Sequence, residues 1–188
     1  MIKILILSAI ILLSIFKMCF SAQFEDYKWR QPKSAVFGLL EKKGKKIDRT
    51  LDSENETAIR YSDYIFNEPC EVTLFTHNKY GLYIVTIEWG KSKFSLSAFK
   101  KNLVKILSDK YGEFVYRRSM KPDLILTERY SWNTGVYKKI TMVVSEDKAF
   151  DRDMGTLILI YSDDEIVKEL KRQAKMMGKE YNEDTAKF

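Results

Sequence analysis

One histidine and two cysteines are all that this 188-residue sequence offers to histidine- or thiol-based chemistry. A serine or cysteine nucleophile usually needs a base in reach, most often histidine. His77 falls in a turn over 77–81, and Cys70 stands at the opposite end of the preceding strand-like run. Cys70 therefore reads as a small apolar core residue and His77 as a turn residue. A zinc centre needs three or four ligands from histidine, cysteine and carboxylate, and the sequence is poor in them. No glycine-rich phosphate loop follows a strand. Hard-oxygen chemistry has one candidate. Asp147, Asp151 and Asp153, with Glu146 before them, crowd the segment that ends at Gly155. Calcium takes such oxygens, but the spacing is not that of a calcium loop, and Lys148 and Arg152 sit among the acids. A solvated hairpin loop is the expected reading, with those aspartates the only metal candidates. No catalytic residue and no cofactor is expected.

Binding is the chemistry that remains. The chain carries 3 tryptophans, 11 tyrosines and 11 phenylalanines. Tyrosine and tryptophan join apolar area to a polar tip and favour binding surfaces. They also fill helix–sheet cores, and that is the expectation for Trp89 and Trp132. Trp29, in a polar lead-in, and Tyr137, near a turn, are the expected binding residues.

The elements that must position these residues begin after a leader. Lys3 precedes a run over 4–16 that is apolar apart from Ser8 and Ser14. A short basic start, an apolar run of about 7–15 residues and small residues before a cut define a secretory signal. Cys19 and Ser21 are the small residues that suit a cut after Ser21. The run is too short for a spanning helix, which needs about 20 apolar residues. An uncleaved anchor and a lipid-modified Cys19 are the rival readings, the latter opposed by Lys17 and Met18. The net charge is +6, and loss of the leader's two lysines leaves +4. That charge is spread along the chain, without the basic stripe of a nucleic-acid binder. Loss of Cys19 leaves Cys70 alone, so the exported domain has no internal disulfide and rests on its core.

Beyond the leader, Pro32 opens a helix and Gly44 ends it. Strand-like runs follow over 46–51, 57–64, 70–76 and 82–89, the last two forming a hairpin. The spacing of Leu96, Phe99, Leu103, Ile106 and Leu107 predicts a helix over 95–110 that Ser95 caps and Gly112 ends. Four further runs over 113–118, 123–132, 136–145 and 156–161 lead to a last helix from Asp163 to about Met177. Its opening acids suit a helix N-terminus, and residues 179–188 form a loose charged tail. The expected fold class is α+β. Two successive helix-plus-antiparallel-sheet units (α-β4-α-β4-α), with helices packed on the sheet, make one domain over 22–178. Pseudo-repeats would span about 31–90 and 95–162, echoed in Tyr61-Ser62-Asp63 and Tyr161-Ser162-Asp163.

The segment 29–44, the strand 82–89 and the helix 95–112 carry a resemblance. Their layout, written twice after a leader, resembles that of the β-lactamase inhibitory protein family, and in outline the outer-membrane assembly lipoproteins of the SmpA/OmlA type. The chain departs from the first in lacking paired cysteines and from the second in lacking a lipid-attachment box at Cys19. The resemblance implies a fold and a binding role and transfers no target. The expectation is an exported, non-enzymatic protein of the periplasm or cell exterior that binds another envelope or extracellular protein. Nucleic acid is not an expected partner, and membrane contact is expected only through an uncleaved signal. A carrier of a small apolar ligand and a carboxylate-only hydrolase are the alternatives.

Overall fold

The computed structural model describes residues 24, 26–120, 125–134, 138–147 and 154–177. The expected leader over 1–21, Tyr137, Asp151, Asp153 and the expected tail over 179–188 lie outside the described residues. Helix α1 (Lys33–Lys42) leads into strands β1 (Ile47–Asp52), β2 (Glu56–Ile65), β3 (Glu68–His77) and β4 (Gly81–Ser92). Helix α2 (Lys93–Tyr111) precedes β5 (Val115–Met120), β6 (Ile125–Asn133), β7 (Lys138–Asp147) and β8 (Met154–Asp163), and α3 (Asp164–Met176) follows.

All eight strands belong to one antiparallel sheet, in the order β1-β2-β3-β4-β8-β7-β6-β5. This corrects the expectation of two helix-plus-four-strand units. The last strand of each expected unit pairs with the other over nine positions, from Ile84↔Ser162 to Ser92↔Met154. The physical reason lies in β8, where Leu157, Ile158, Leu159, Ile160 and Tyr161 run without a charge. Such a strand suits the middle of a sheet and lacks the charges, bulges and prolines that guard an edge. The tandem repeat falls with the two units: Tyr61 lies on the second strand of its half, whereas Tyr161 lies on the fourth.

Local chemistry sets the ends of the elements. Gly44 has φ +64 and closes α1, its N–H donating to the Glu41 carbonyl while Lys45 N–H donates to Leu40. That pair of bonds is the Schellman arrangement, which favours glycine in the left-handed region. The cap of α2 is Ser92, three residues before the expected Ser95, because the Ser92 hydroxyl accepts the Ser95 N–H at 3.4 Å. Phe66 and Asn67 both take positive φ, a two-residue turn that sets the β2–β3 register.

Side-chain alternation gives the sheet two faces. On one, Val36 and Leu40 of α1 and Leu96, Leu103 and Leu107 of α2 pack on Ile59, Val72, Leu74, Val85, Ile87, Trp89, Trp132, Ile140, Met142, Val144, Leu157 and Leu159. Trp89 and Trp132 are fully buried there, as the strand-core expectation required. Among the described helices only α3 lies on the other face, its Ile166 and Leu170 packing on Phe75 and Tyr83. Among the described residues no helix is long and apolar enough to cross a membrane.

Candidate functional site

The face that α3 leaves largely uncovered is crossed by one row of paired residues. Along it stand Ser62, Glu71, Glu88, Ile158, Val143, Arg129 and Arg117, one from each strand from β2 to β5 in sheet order. After Ser62 at one end come two acids, then two apolar residues, and two arginines at the far end. Like charges directly opposite each other destabilise a sheet, and this row contains two such pairs, separated by Ile158 and Val143.

Only the acidic pair is partly neutralised. Arg60 Nε lies 3.2 Å from Glu71. Glu88 is half-buried, and burial, then the charge of Glu71, pushes its carboxyl above the usual range against the opposing pull of Arg60. A carboxyl raised in the folded state costs stability once ionised, and that cost vanishes below the unfolded value of about 4.3. Glu88→Gln is therefore expected to stabilise the protein by about 0.5–1 kcal/mol at pH 7. Denaturant unfolding at pH 7 and near pH 3.5 checks the sign, since the gain must disappear at the lower pH.

The basic end has a different character. Arg117 from β5, Arg129 from β6 and Lys139 from β7 line a cavity of about 240 Å³ together with Val115, Ser131 and Asn133. No acidic side chain lines it, and none among the described residues forms an ion pair with any of the three cations. Lys171 of α3 adds to the field. Burial pulls its ammonium below the usual lysine range, Asp164 opposes this, and Lys139 and Arg129 push it further down. Ser131 and Asn133 supply hydrogen-bond donors beside the charges. The arrangement fits a carboxylate or another anion group, because cations in a partly dehydrated hollow gain most from a counter-charge brought by a ligand.

A second cavity of about 600 Å³ lies between the β3–β4 turn and α3, lined by Arg30, Lys79, Tyr80, Glu165, Ile166, Lys168, Glu169 and Arg172. Its charges are largely spent within the protein. Arg30 pairs with Glu165 and with Asp163, Arg172 with Glu169 at 2.9 Å, and Lys168 with Asp164 at 2.9 Å.

The residues named from sequence fall elsewhere. Trp29 is half-buried against the main core, with Lys138 Nζ 5.2 Å from its ring centre, and is not among the residues lining the basic cavity. Tyr137, Asp151 and Asp153 are outside the described residues, and Asp147 is the last residue of β7. Among the described residues no group of three or more His, Cys, Asp or Glu is arranged to hold a metal ion. His77 ties its own turn, its Nδ1 accepting the Lys79 N–H at 3.0 Å. Burial lowers its imidazole below the usual range, outweighing Glu56. Cys70 is buried, its thiol 3.5 Å from the Asp63 carbonyl. Sequence reading missed Arg117, Arg129 and Lys139. A usable signal existed, because antiparallel pairing of the runs around 117 and 129 sets these two residues opposite each other.

No protein-family model matches the chain, and neither curated proteins nor solved structures give a match.

Proposed function

We propose that the protein is an exported, non-enzymatic binding module of the periplasm or cell exterior that holds an acidic partner protein against the uncovered face of its sheet. One observation carries the reading: three strands bring Arg117, Arg129 and Lys139 to one cavity, and no described acid pairs with them. Cations gathered without internal partners gain little for folding, and at an interface they steer and select an acidic surface. Export rests on the leader, and its direct consequence is a natural protein that begins at Ala22. The carrier alternative draws less support, since the 600 Å³ cavity is lined mainly by charged side chains.

Immobilised protein should retain a partner from an envelope extract of the source cell, and moderate salt should release it, since salt screens exposed charge pairs. The double variant Arg129→Glu/Lys139→Glu should retain about tenfold less or none of it, because each reversal sets like charge against the partner. Equal retention by the variant would overturn the proposal.

A further inference from the structure

An eight-stranded open sheet has two edges, here β1 and β5. Each presents an outward row of backbone N–H and C=O groups that can pair with another extended chain. The two edges are not equivalent. The register of β1 breaks at a bulge between Ile47 and Arg49. Its acids are also engaged, Asp48 by the Ser62 hydroxyl at 2.8 Å and Asp52 by Lys33 at 2.7 Å. Bulges and local charge pairs blunt an edge.

Strand β5 has no such guard. Its register with β6 is unbroken from Val115↔Ser131 to Met120↔Leu126, and all six residues are exposed. Nine large hydrophobic side chains are exposed among the described residues, and four of them, Phe114, Val115, Tyr116 and Met120, lie within this one segment. That concentration marks an interaction surface, whereas single exposed apolar residues do not.

Charge selects the occupant. A second copy of β5 would bring Arg117 and Arg118 against the same arginines, which disfavours self-pairing. An acidic segment meets them favourably, and the alternation of side chains fixes its phase. Tyr116, Arg118 and Met120 stand on the helix-covered face, where Arg118 lies opposite Glu128. Glu128 is itself bound by Lys100 at 2.6 Å and by the hydroxyls of Tyr116 and Tyr130. Val115, Arg117 and Ser119 stand on the uncovered face, where Arg117 lies opposite Arg129 beside the basic cavity. The uncovered face thus gathers Arg117, Arg129 and Lys139 around a cavity with no acid in its lining, whereas on the covered face Arg118 has an acid, Glu128, directly opposite it.

We infer that β5 accepts an extended acidic segment of the partner as a ninth strand. Its carboxylates lie on the uncovered face against Arg117 and Arg129, and its apolar residues lie against Tyr116 and Met120. This rests on the reading of the protein as a binder of an acidic partner and specifies how that partner is held. Main-chain pairing supplies affinity in such strand addition, and alternate side chains supply specificity.

The test uses fluorescent eight-residue peptides, capped at both ends, and the purified protein. An alternating Glu-Val peptide should bind at least about tenfold more tightly than a Lys-Val peptide, and Arg117→Glu should remove that preference. Two further Glu-Val peptides are N-methylated, one at every glutamate and the other at every valine. In a strand all glutamate N–H groups point to one side and all valine N–H groups to the other. Only one of the two methylated peptides should therefore lose binding. Equal binding by both would overturn strand addition while leaving charge recognition intact. Absence of any preference for Glu-Val over Lys-Val would overturn it as well, and capture of the natural partner by the wild type alone would then show that the broader reading survives.

Discussion

Replacing Asp163 with alanine is expected to lower stability by about 2–3 kcal/mol at pH 7, a fall in melting temperature of roughly 5–10 °C for a domain of this size. Asp163 closes β8, stands at the N-cap position of α3 without a side-chain capping bond, and is fully buried. Its Oδ2 receives Lys138 Nζ at 2.6 Å and Arg30 Nε at 3.2 Å, so one carboxylate joins the lead-in, β7 and α3. Removing one partner of a buried pair commonly costs about 3–5 kcal/mol. The lower figure applies here because both cations are partly exposed and regain water. The pH dependence separates this role from packing. Burial alone would raise the carboxyl, but the hydrogen bonds and charges of Lys138 and Arg30 outweigh it and hold it below the usual range. A depressed folded-state value stabilises above the unfolded value of about 3.9 and is lost as pH falls through the folded one. The gap between wild type and Asp163→Ala should therefore narrow steadily below about pH 4. Thermal melts followed by circular dichroism at pH 7 and pH 3 would show it, and equal melting temperatures at pH 7 would refute the assignment.

Gly81→Ala is expected to cost about 3 kcal/mol, against about 1 kcal/mol for the matched control Gly44→Ala. Both glycines have positive φ, +70 and +64, so both substitutions carry the left-handed penalty. Their surroundings differ. A Cβ at Gly44 meets nothing within 4 Å, whereas one at Gly81 would press on the Arg30 carbonyl and lie 2.6 Å from the Gln31 carbonyl oxygen. Those are backbone atoms, so relief requires the lead-in to leave the sheet. It is held there by Arg30 N–H donating to the Leu82 carbonyl and Leu82 N–H donating to that of Gln31, both at 2.8 Å. Urea unfolding of the two variants side by side gives the comparison. Equal losses would mean that the lead-in yields freely.

Much of the local structure was legible because it is written in short-range chemistry. The spacing of Leu96, Leu103 and Leu107 specifies α2, and Gly44 and Gly112 mark where helices stop. The alternation of Val72 and Leu74 with Glu71 and Thr73 specifies β3. What joins β4 to β8 has no local signature. Either strand could end a smaller sheet as far as its own residues tell, and the uncharged run from Leu157 to Tyr161 was the one hint against that. The basic cavity was obscured for a related reason. Arg117, Arg129 and Lys139 are far apart in sequence and read singly as solvated surface charge. Only the hairpin register puts two of them opposite each other, and only the third strand brings the lysine. Trp29 was expected at a binding surface because it lies in a polar segment, and the structure packs it partly against the main core, outside the basic cavity.

The seam between β4 and β8 joins residues 62 to 78 positions apart, from Ser92–Met154 to Ile84–Ser162. Nothing shorter in sequence completes the middle of the sheet, so its closure waits until almost the whole chain is available. Contacts of such long range slow folding, because the entropy of closing the intervening loop is spent before any contact repays it. A chain built this way stays open while it is being made. If the protein is exported as proposed, that delay keeps the chain open for passage, and the same late strand locks the sheet once both halves have crossed.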